Sequence, residues 1–341
     1  MNESTADVSI TDVAAHAGVS TGTVSNVLNR PERVSPATRQ RVAAAIADLG
    51  FVRNEAARQL RAGRSRTVGL VVLDIGNPFF TDLAAGVEAR AAESGLSVVL
   101  CNSGEDVERQ DRHLHFLREQ RAFGILVTPV GARSPAIDAA RAGGTAIVLV
   151  DQGSGPRRCS VSVDDRIGGA LAATHLISLG HRKIGFVGGP VAIKQVAERL
   201  AGAREAAASA GLAPQSVTHV ATDALTAAEG RRAAERIAAL GAERRPTAVF
   251  CANDLLALGV LQELTRRRFE IPGDLAIVGY DDIEFAAAAA VPLTSIRQPR
   301  SQLGRAAMDL LFEEVEAAGT HRHRQVVFEP ELVVRASTAE V

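Results

Sequence analysis

DVAAHAGVSTGTVSNVLN, residues 12–29, is the stretch that decides the fold of the N-terminal part of this chain. Apolar residues at helical spacing predict two short helices, and Gly18 between them permits a tight turn. We expect Thr11 to cap the first helix and Ser20 to cap the second. A helix pair whose second member presents short polar side chains is the arrangement that inserts a helix into the DNA major groove. An ordinary helical hairpin is the alternative from the pattern alone.

A third helix and an arginine-rich segment follow. Ser35 and Pro36 form a helix start, and the helical pattern ends near Gly50. Residues 1–66 hold nine arginines and six acidic residues, whereas the remainder holds 29 basic and 33 acidic residues. Most of the arginine excess lies between positions 53 and 66, where it suits contact with phosphates. A solvated charged linker is the alternative.

From Val68 onward the chain alternates between apolar runs of strand length and helical segments. Unbroken apolar runs indicate parallel sheets covered on both faces, and about ten elements are too many for one sheet. We therefore expect two doubly wound lobes, which bind ligands at the carboxyl ends of their strands. Polar residues that end the runs should then line a cleft between the lobes; they are Asp74, Asn102, Asp151, Asn253, Asp254, Asp281 and Asp282.

Composition excludes several classes of protein. No apolar run reaches the roughly 18 residues of a membrane helix, and no secretion signal begins the chain, so we expect a cytoplasmic protein without a membrane partner. Cys101, Cys159 and Cys251 lie far apart and are interpreted as buried thiols. His321 and His323 are expected to be exposed, and no metal or other cofactor is predicted. Phosphate-binding loops and nucleophile elbows are missing from the sequence, which argues against an enzyme.

The stretch at 12–29, together with RVSPATRQRVAAAIADLGFVRNEAARQL at 33–60, closely resembles the lac repressor family of transcription regulators. The resemblance implies an all-α helix-turn-helix head at residues 1–50 and a hinge helix or linker at 51–66. It also implies an α/β core at 67–341, like periplasmic binding proteins, with two doubly wound parallel-sheet lobes. Lobe one is expected at about 67–163 and 297–325, and lobe two at about 164–296 and 326–341.

The same resemblance assigns DNA contacts. Thr21, Gly22 and Asn26 lie where family members contact base edges, although Gly22 has no side chain and the base preference stays open. Leu60 matches a leucine that wedges between minor-groove bases, and packing within the linker is its alternative. The full set of expected DNA contacts is Ser20, Thr21, Gly22, Thr23, Ser25, Asn26, Asn29, Arg53, Asn54, Arg58 and Leu60.

A ligand site is implied as well, with strand-end capping or bonding between lobes as the alternative for each residue. Arg199 matches a family arginine that binds ligand oxygens, and we expect it opposite Asp281, with both setting ligand affinity but not stability. Gln152 and Leu225 replace an arginine and an aromatic residue that many relatives carry. The expected ligand-binding residues are Asn77, Phe79, Phe80, Asp151, Arg199, Asn253, Tyr280, Asp281 and Gln298.

Together these features predict a ligand-responsive transcriptional repressor that binds palindromic operator DNA as a homodimer. A sugar is the preferred effector, with genes of carbohydrate uptake or catabolism as targets. A nucleobase or other metabolite as corepressor, a solute-binding module that does not bind DNA, and an enzyme on the same fold are the alternatives. The sequence leaves open whether the effector induces or corepresses.

Overall fold

The structure is a computed structural model that describes residues 8–51, 65–131, 134–153, 158–317 and 321–338. The chain divides into two compact units, Met1–Arg64 and Ser65–Val341. Within the described ranges, none of the helices combines the length and the apolar character that crossing a bilayer requires.

The described part of the first unit is helical. Ser9 caps α1: its hydroxyl accepts a hydrogen bond from the Asp12 backbone N–H, and the Asp12 carboxylate accepts one from the Ser9 backbone N–H at 2.8 Å. The expected Thr11 cap is therefore wrong, because this reciprocal pair begins the helix two residues earlier. Gly18 ends α1 with a φ of 62°. The elements are α1 (Ile10–Ala17), α2 (Thr21–Asn29), a 3₁₀ turn (Pro31–Arg33) and α3 (Pro36–Leu49).

Small aliphatic side chains form the core of this unit. Val13 of α1, Val24 of α2 and Val42 of α3 are each fully buried, so all three helices contribute to one apolar centre. Ser20 caps α2 by accepting from the backbone N–H of Thr23 at 3.1 Å, as predicted. Because Val24 faces inward, the opposite face of α2 is left to solvent.

The second unit holds two six-stranded sheets, one in each lobe. In lobe one the order is β11-β5-β4-β3-β1-β2 and every pairing is parallel. In lobe two the order is β12-β10-β9-β8-β6-β7, and only β12 runs antiparallel. The described strands are β1 (Thr67–Val72), β2 (Ser97–Asn102), β3 (Gly124–Val127), β4 (Ile147–Val150), β5 (Ser160–Val163), β6 (Ile184–Gly188), β7 (Val217–Ala221), β8 (Ala248–Cys251), β9 (Ala276–Asp281), β10 (Thr294–Arg297), β11 (Gln325–Phe328) and β12 (Glu331–Val333).

Helices cover both sheets, and the predicted fold class is confirmed. The central strands β3, β4 and β8 are buried along their whole length, which explains their unbroken apolar sequences. The described helices of the core are α4 (Pro78–Ala92), α5 (Val107–Glu119), α6 (Pro135–Ala142), α7 (Asp165–Ser178), α8 (Lys194–Ser209), α9 (Ala227–Ala238), α10 (Asp254–Arg266), α11 (Glu284–Ala288) and α12 (Arg300–Glu316).

The chain passes between the two lobes three times: after β5, after β10 and after β11. The third passage was expected between residues 325 and 326, and this is wrong. Strand β11 pairs with β5 of lobe one, with Gln325 opposite Ser160 and Phe328 opposite Val163. The passage therefore lies after Phe328, because β11 is needed to complete the edge of the lobe-one sheet.

Candidate functional site

A cavity of about 270 Å³ lies between the two lobes of the core. Its walls follow the carboxyl ends of the strands: Asp74 comes after β1, Asp151 after β4 and Asn253 after β8. This is the edge at which parallel α/β sheets bind ligands. The volume is close to the lower end of the range of about 300–1,000 Å³ that small-molecule sites occupy.

Eight of the nine expected ligand-binding residues line this cavity, and the structure brings them together from distant parts of the chain. Tyr280 is the exception, because its side chain is fully buried and does not reach the cavity. The eight are Asn77, Phe79, Phe80, Asp151, Arg199, Asn253, Asp281 and Gln298.

Asp281, the last residue of β9, is at the centre of a hydrogen-bond network. Gln298 Nε2 donates to its Oδ1 at 2.7 Å, and Asn77 Nδ2 donates to its Oδ2 at 3.3 Å. Asn77 belongs to lobe one, so the second bond crosses from one lobe to the other. The backbone of Asp281 has a φ of 105°, which a residue other than glycine rarely adopts. Burial raises the pKa of Asp281, and Arg199 nearby acts in the opposite direction.

Arg199 of α8 is held in place by three contacts with lobe two. Its Nε donates to Asp165 Oδ1 at 2.8 Å, and its Nη1 donates to the backbone oxygen of Ala252 at 2.6 Å. Its guanidinium carbon lies 3.6 Å from the centre of the Tyr280 ring. Burial alone would lower the pKa of Arg199, but the surrounding carboxylates, Asp165 foremost, raise it, so the side chain is charged.

These contacts correct two expectations. Arg199 and Asp281 both belong to lobe two, so they do not lie on opposite sides of the cleft. Arg199 also forms a buried ion pair with Asp165, which makes it part of the structure as well as part of the cavity wall. Tyr280 packs its ring against the Arg199 guanidinium and does not line the cavity. The Nη2 group of Arg199 makes no hydrogen bond to the described part of the chain.

Asp151 faces the same cavity from lobe one. Gln195 Nε2 donates to its Oδ2 at 2.9 Å and to its backbone oxygen at 2.5 Å, again joining the two lobes. Burial above all, with the charge of Asp165 next, raises the pKa of Asp151 to about 8. At neutral pH a large fraction of the molecules therefore carries this carboxyl group protonated.

Two buried polar atoms of the cavity wall have no hydrogen-bond partner among the described residues. They are Asp151 Oδ1 and Gln298 Oε1. Buried polar atoms without partners are rare, because each costs about 1–3 kcal/mol. A ligand that donates to Gln298 Oε1, and that donates to Asp151 Oδ1 or accepts from it according to its protonation, would satisfy both atoms.

The remaining predicted residues have more structural roles. Asn253 caps α10, accepting from the Leu256 backbone N–H at 2.9 Å. Phe79 and Phe80 are almost fully buried and contact each other edge to face, with centroids 5.0 Å apart. Asp254 is fully buried and accepts from the Ser295 hydroxyl and the Ile283 backbone, and does not line the cavity.

Sequence reasoning missed Gln195, which lines the cavity and holds Asp151. It lies in the first turn of α8, directly after the loop that follows β6. That position was the available signal, because the first turn of a helix after a parallel strand lies at the binding edge of the sheet. Leu225, noted for its replacement of an aromatic residue, also lines the cavity.

The polar face of α2 is the candidate DNA-binding surface. Asn29 Nδ2 donates back to the Ser25 backbone oxygen at 2.8 Å, and Ser20 and Thr23 join their hydroxyls at the helix start. The side chains of Thr21 and Asn26 make no hydrogen bond within the described residues. Exposed on this face are Ser20, Thr21, Gly22, Asn26 and Asn29, with Thr23 and Ser25 half-buried.

The other expected DNA contacts, Arg53, Asn54, Arg58 and Leu60, lie outside the described residues. Arg66, the last of the arginine-rich segment, comes just before β1 in the core unit.

Comparison with known proteins gives matches along nearly the whole chain. Residues 9–54 match the model of the lacI family of bacterial regulatory proteins, and residues 173–338 match the periplasmic binding protein-like domain. The HTH-type transcriptional repressor PurR of Photobacterium profundum is 34% identical over 334 residues, which cover 97% of this chain and 99% of that protein. PurR of Vibrio parahaemolyticus is 35% identical over 328 residues, or 96% and 97% of the two chains.

Solved structures agree with this result. The lac repressor dimer bound to operator and the anti-inducer ONPF has a TM-score of 0.85 at 28% identity, covering 98% of this chain and 99% of that one. The complex of the transcriptional regulator CelR with cellobiose has a TM-score of 0.70 at 33% identity, covering 97% and 99%.

Proposed function

This chain belongs to the lacI family of DNA-binding transcriptional repressors, and we propose that its effector is a small uncharged sugar bound in the cleft of the core. The repressor would act in the cytoplasm on genes for the uptake or catabolism of that sugar. Loss or gain of the effector would change the affinity of the head for palindromic operator DNA through a coupling free energy.

The observation that carries the proposal is the excess of acceptors over free cations in the cavity wall. Asp74, Glu105, Asp151 and Asp281 line it, whereas among the described residues Arg199 is the one cation in the lining and is already paired with Asp165. Those of the four carboxyl groups that are ionised would repel an anionic ligand. Sugar hydroxyls both donate and accept hydrogen bonds, so they suit Gln298 Oε1, which accepts, and Asp151 Oδ1, which accepts when the carboxyl group is ionised and donates when it is protonated.

A nucleobase acting as corepressor is the second candidate, and the relatives named PurR favour it. Amide side chains of Asn77 and Gln298 could pair with the edge of a base. Apolar residues from both lobes, Phe80 and Leu225 among them, could contact its faces.

A thermal-shift panel on the full chain tests the two candidates together. It would contain D-ribose, D-glucose, cellobiose, hypoxanthine and guanine. A ligand at 100 times its dissociation constant adds about 2.7 kcal/mol to the free energy of unfolding, which is easily measured. We expect a shift with one of the sugars, lost in Gln298→Ala and kept in Gln215→Ala, which changes an exposed glutamine. A shift with a purine and with none of the sugars would contradict the sugar proposal and support the nucleobase.

For the head, we propose that α2 enters the major groove and that Thr21 and Asn26 contact bases. Asn26→Ala should weaken operator binding by roughly 1–3 kcal/mol and spare random-sequence DNA. Gln40→Ala, an exposed amide on α3, is the matched control. Equal losses on operator and random DNA would contradict base recognition by Asn26. Titrations with and without effector would also distinguish an inducer from a corepressor.

We further propose that two copies pair through lobe one. Strand β2 is at the edge of its sheet and leaves Val99 and Leu100 about 37% and 41% exposed. Apolar edge strands are normally covered, because they otherwise pair with other chains. Light scattering should show a dimer for the full chain and a monomer for Leu100→Asp. A dimer of unchanged stability in that variant would place the interface elsewhere.

A further inference from the structure

Four side chains with metal-binding chemistry meet on lobe one, away from the cleft. Cys159 directly precedes β5, His321 and His323 precede β11, and Glu314 lies in the last turn of α12. Strands β5 and β11 are parallel neighbours, so the residues before them meet at the amino edge of the sheet. The cleft is at the opposite, carboxyl edge.

The distances between these side chains are short. Cys159 Sγ lies 3.0 Å from His321 Nε2 and 3.8 Å from His323 Nδ1. His323 Nδ1 lies 3.6 Å from Glu314 Oε2. One donor atom from each of the four residues can be chosen so that all lie within 4.8 Å of one another. Zinc bonds of about 2.0–2.3 Å in a tetrahedron separate their ligand atoms by about 3.3–3.6 Å.

We propose that Cys159, Glu314, His321 and His323 form a binding site for one zinc ion. One thiolate, two imidazoles and one carboxylate are a ligand set that Zn²⁺ accepts in tetrahedral geometry. Calcium and magnesium prefer oxygen ligands alone, so this set selects against them. Binding would form the zinc–sulfur bond and release the thiol proton to solvent.

A second observation at the same place points to a missing partner. The Glu314 side chain is only 11% exposed. Its Oε2 atom is buried and has no hydrogen-bond partner among the described residues. A cation at the centre of the cluster would neutralise this carboxylate. Cys159 is fully buried.

The two histidines are half-buried, which corrects the expectation that they are exposed and leaves a route for the ion from solvent. Arg141 is the competing partner: its Nη2 lies 3.2 Å from His323 Nε2 and 3.6 Å from Glu314 Oε1. Zinc would use the other atom of each group, Nδ1 and Oε2. A ring bound through Nδ1 carries its proton on Nε2, so Arg141 would keep Glu314 and give up His323.

The test uses the full chain after removal of metals with a chelator. We expect it to bind one equivalent of Zn²⁺ in competition with a chromophoric chelator. With Co²⁺ it should show the thiolate-to-cobalt charge-transfer band and the visible bands of a tetrahedral site. Cys159→Ala should abolish the charge-transfer band, and His321→Ala should weaken zinc binding by more than the 10–100-fold typical for loss of an outer-shell partner.

Cys101→Ala and His115→Ala are the matched controls, because they change a buried thiol and an exposed imidazole outside the cluster. Both should bind zinc as the unchanged chain does. Circular dichroism at 25 °C checks that each variant is folded before titration. Absence of competitive zinc binding by the folded, unchanged chain would overturn the proposal. Zinc binding that survives both Cys159→Ala and His321→Ala would overturn it equally.

Discussion

The cleft of the core and the polar face of α2 are both surfaces for recognition, but they hold their polar groups in opposite ways. In the cleft, Arg199 and Asp281 are almost fully buried and already hydrogen-bonded within the protein. On α2, Thr21 and Asn26 are exposed to solvent. The polar groups of the cleft thus make hydrogen bonds that help to hold the fold together, whereas those of α2 project into solvent from the helix surface.

This difference determines what a substitution reports. A buried charge or amide that loses its partner costs free energy even without a ligand. An exposed side chain on a helix can be removed with little effect on folding. Changes in the cleft should therefore alter stability together with effector binding, and removal of the exposed polar side chains of α2 should alter DNA binding alone.

The largest expected effect comes from Arg199→Ala. It leaves the Asp165 carboxylate buried without its partner, which typically costs about 3–5 kcal/mol. Urea unfolding at pH 7 measures the loss. Arg166→Ala is the control, because Arg166 forms ion pairs with Glu198 and Glu205 at the surface and should contribute at most about 1 kcal/mol. Equal losses of stability in the two variants would mean that the buried pair of Arg199 and Asp165 contributes no more to folding than the surface pairs of Arg166.

The next effect is a pH dependence that Asp151 introduces. Its pKa is about 8 in the folded protein, against about 3.9 for an ordinary aspartate, so the folded state retains a proton that the unfolded state loses. Stability should therefore fall as pH rises from about 4 to about 8, by up to about 1.4 kcal/mol per pH unit from this group. Asp151→Asn removes this contribution and tolerates the φ of 55° at this position.

Urea unfolding at pH 5, 6, 7 and 8 without effector checks this prediction. The stability of Asp151→Asn relative to the unchanged chain should increase steadily with pH. The other buried carboxyl groups are common to both proteins, so the difference reports Asp151 together with its electrostatic coupling to Asp165 and Asp281. A difference that is constant from pH 5 to pH 8 would show that Asp151 is ionised throughout.

Asp281→Asn should have a smaller effect, directed at the effector. The amide offers one acceptor in place of two, and its NH₂ group would face a donor from Asn77 or Gln298. We expect effector affinity to fall at least tenfold, about 1.4 kcal/mol. Calorimetric titration with the effector from the thermal-shift panel measures it, with the exposed, surface-paired Asp309→Asn as control. Unchanged affinity would remove Asp281 from the binding site.

The smallest effect belongs to the head. A Cβ at Gly22 would have Ser20 Oγ as its nearest neighbour at 3.7 Å, an ordinary contact. Gly22→Ala should therefore stabilise the exposed helix α2, and because Gly22 is the second residue of the helix, the gain should not exceed the roughly 0.8–1.0 kcal/mol of a helix interior. A thermal melt of the full chain monitored at the head, for example by exchange of its amides, would detect this. Destabilisation would show that α2 is more tightly constrained than its exposure indicates.

Sequence patterns predicted the fold more completely than they predicted the contacts. Unbroken apolar strands such as β3 identify a parallel sheet, and the polar residues that follow strands identify its binding edge. Pattern alone could not show that Tyr280 supports Arg199 or that Gln195 holds Asp151, because each pair depends on tertiary packing. The passage after Phe328 was misplaced because strand pairing, which decides the lobe, leaves no local signal in so short a segment.

The cluster at Cys159 was missed for the same reason. Its histidines follow its cysteine by 162 and 164 positions, far beyond the spacing of local metal motifs. Only the pairing of β5 with β11 brings them together.

The hydrogen bond from Asn77 to Asp281 has a consequence for how effectors are ranked. It joins the lobes through an oxygen that a bound molecule would also use. An incoming hydroxyl must therefore exchange with an existing donor, and only the surplus of new bonds over displaced ones contributes to affinity. Compounds that leave this bond intact would bind to a core whose lobes are already connected, and those that displace it must supply the connection themselves.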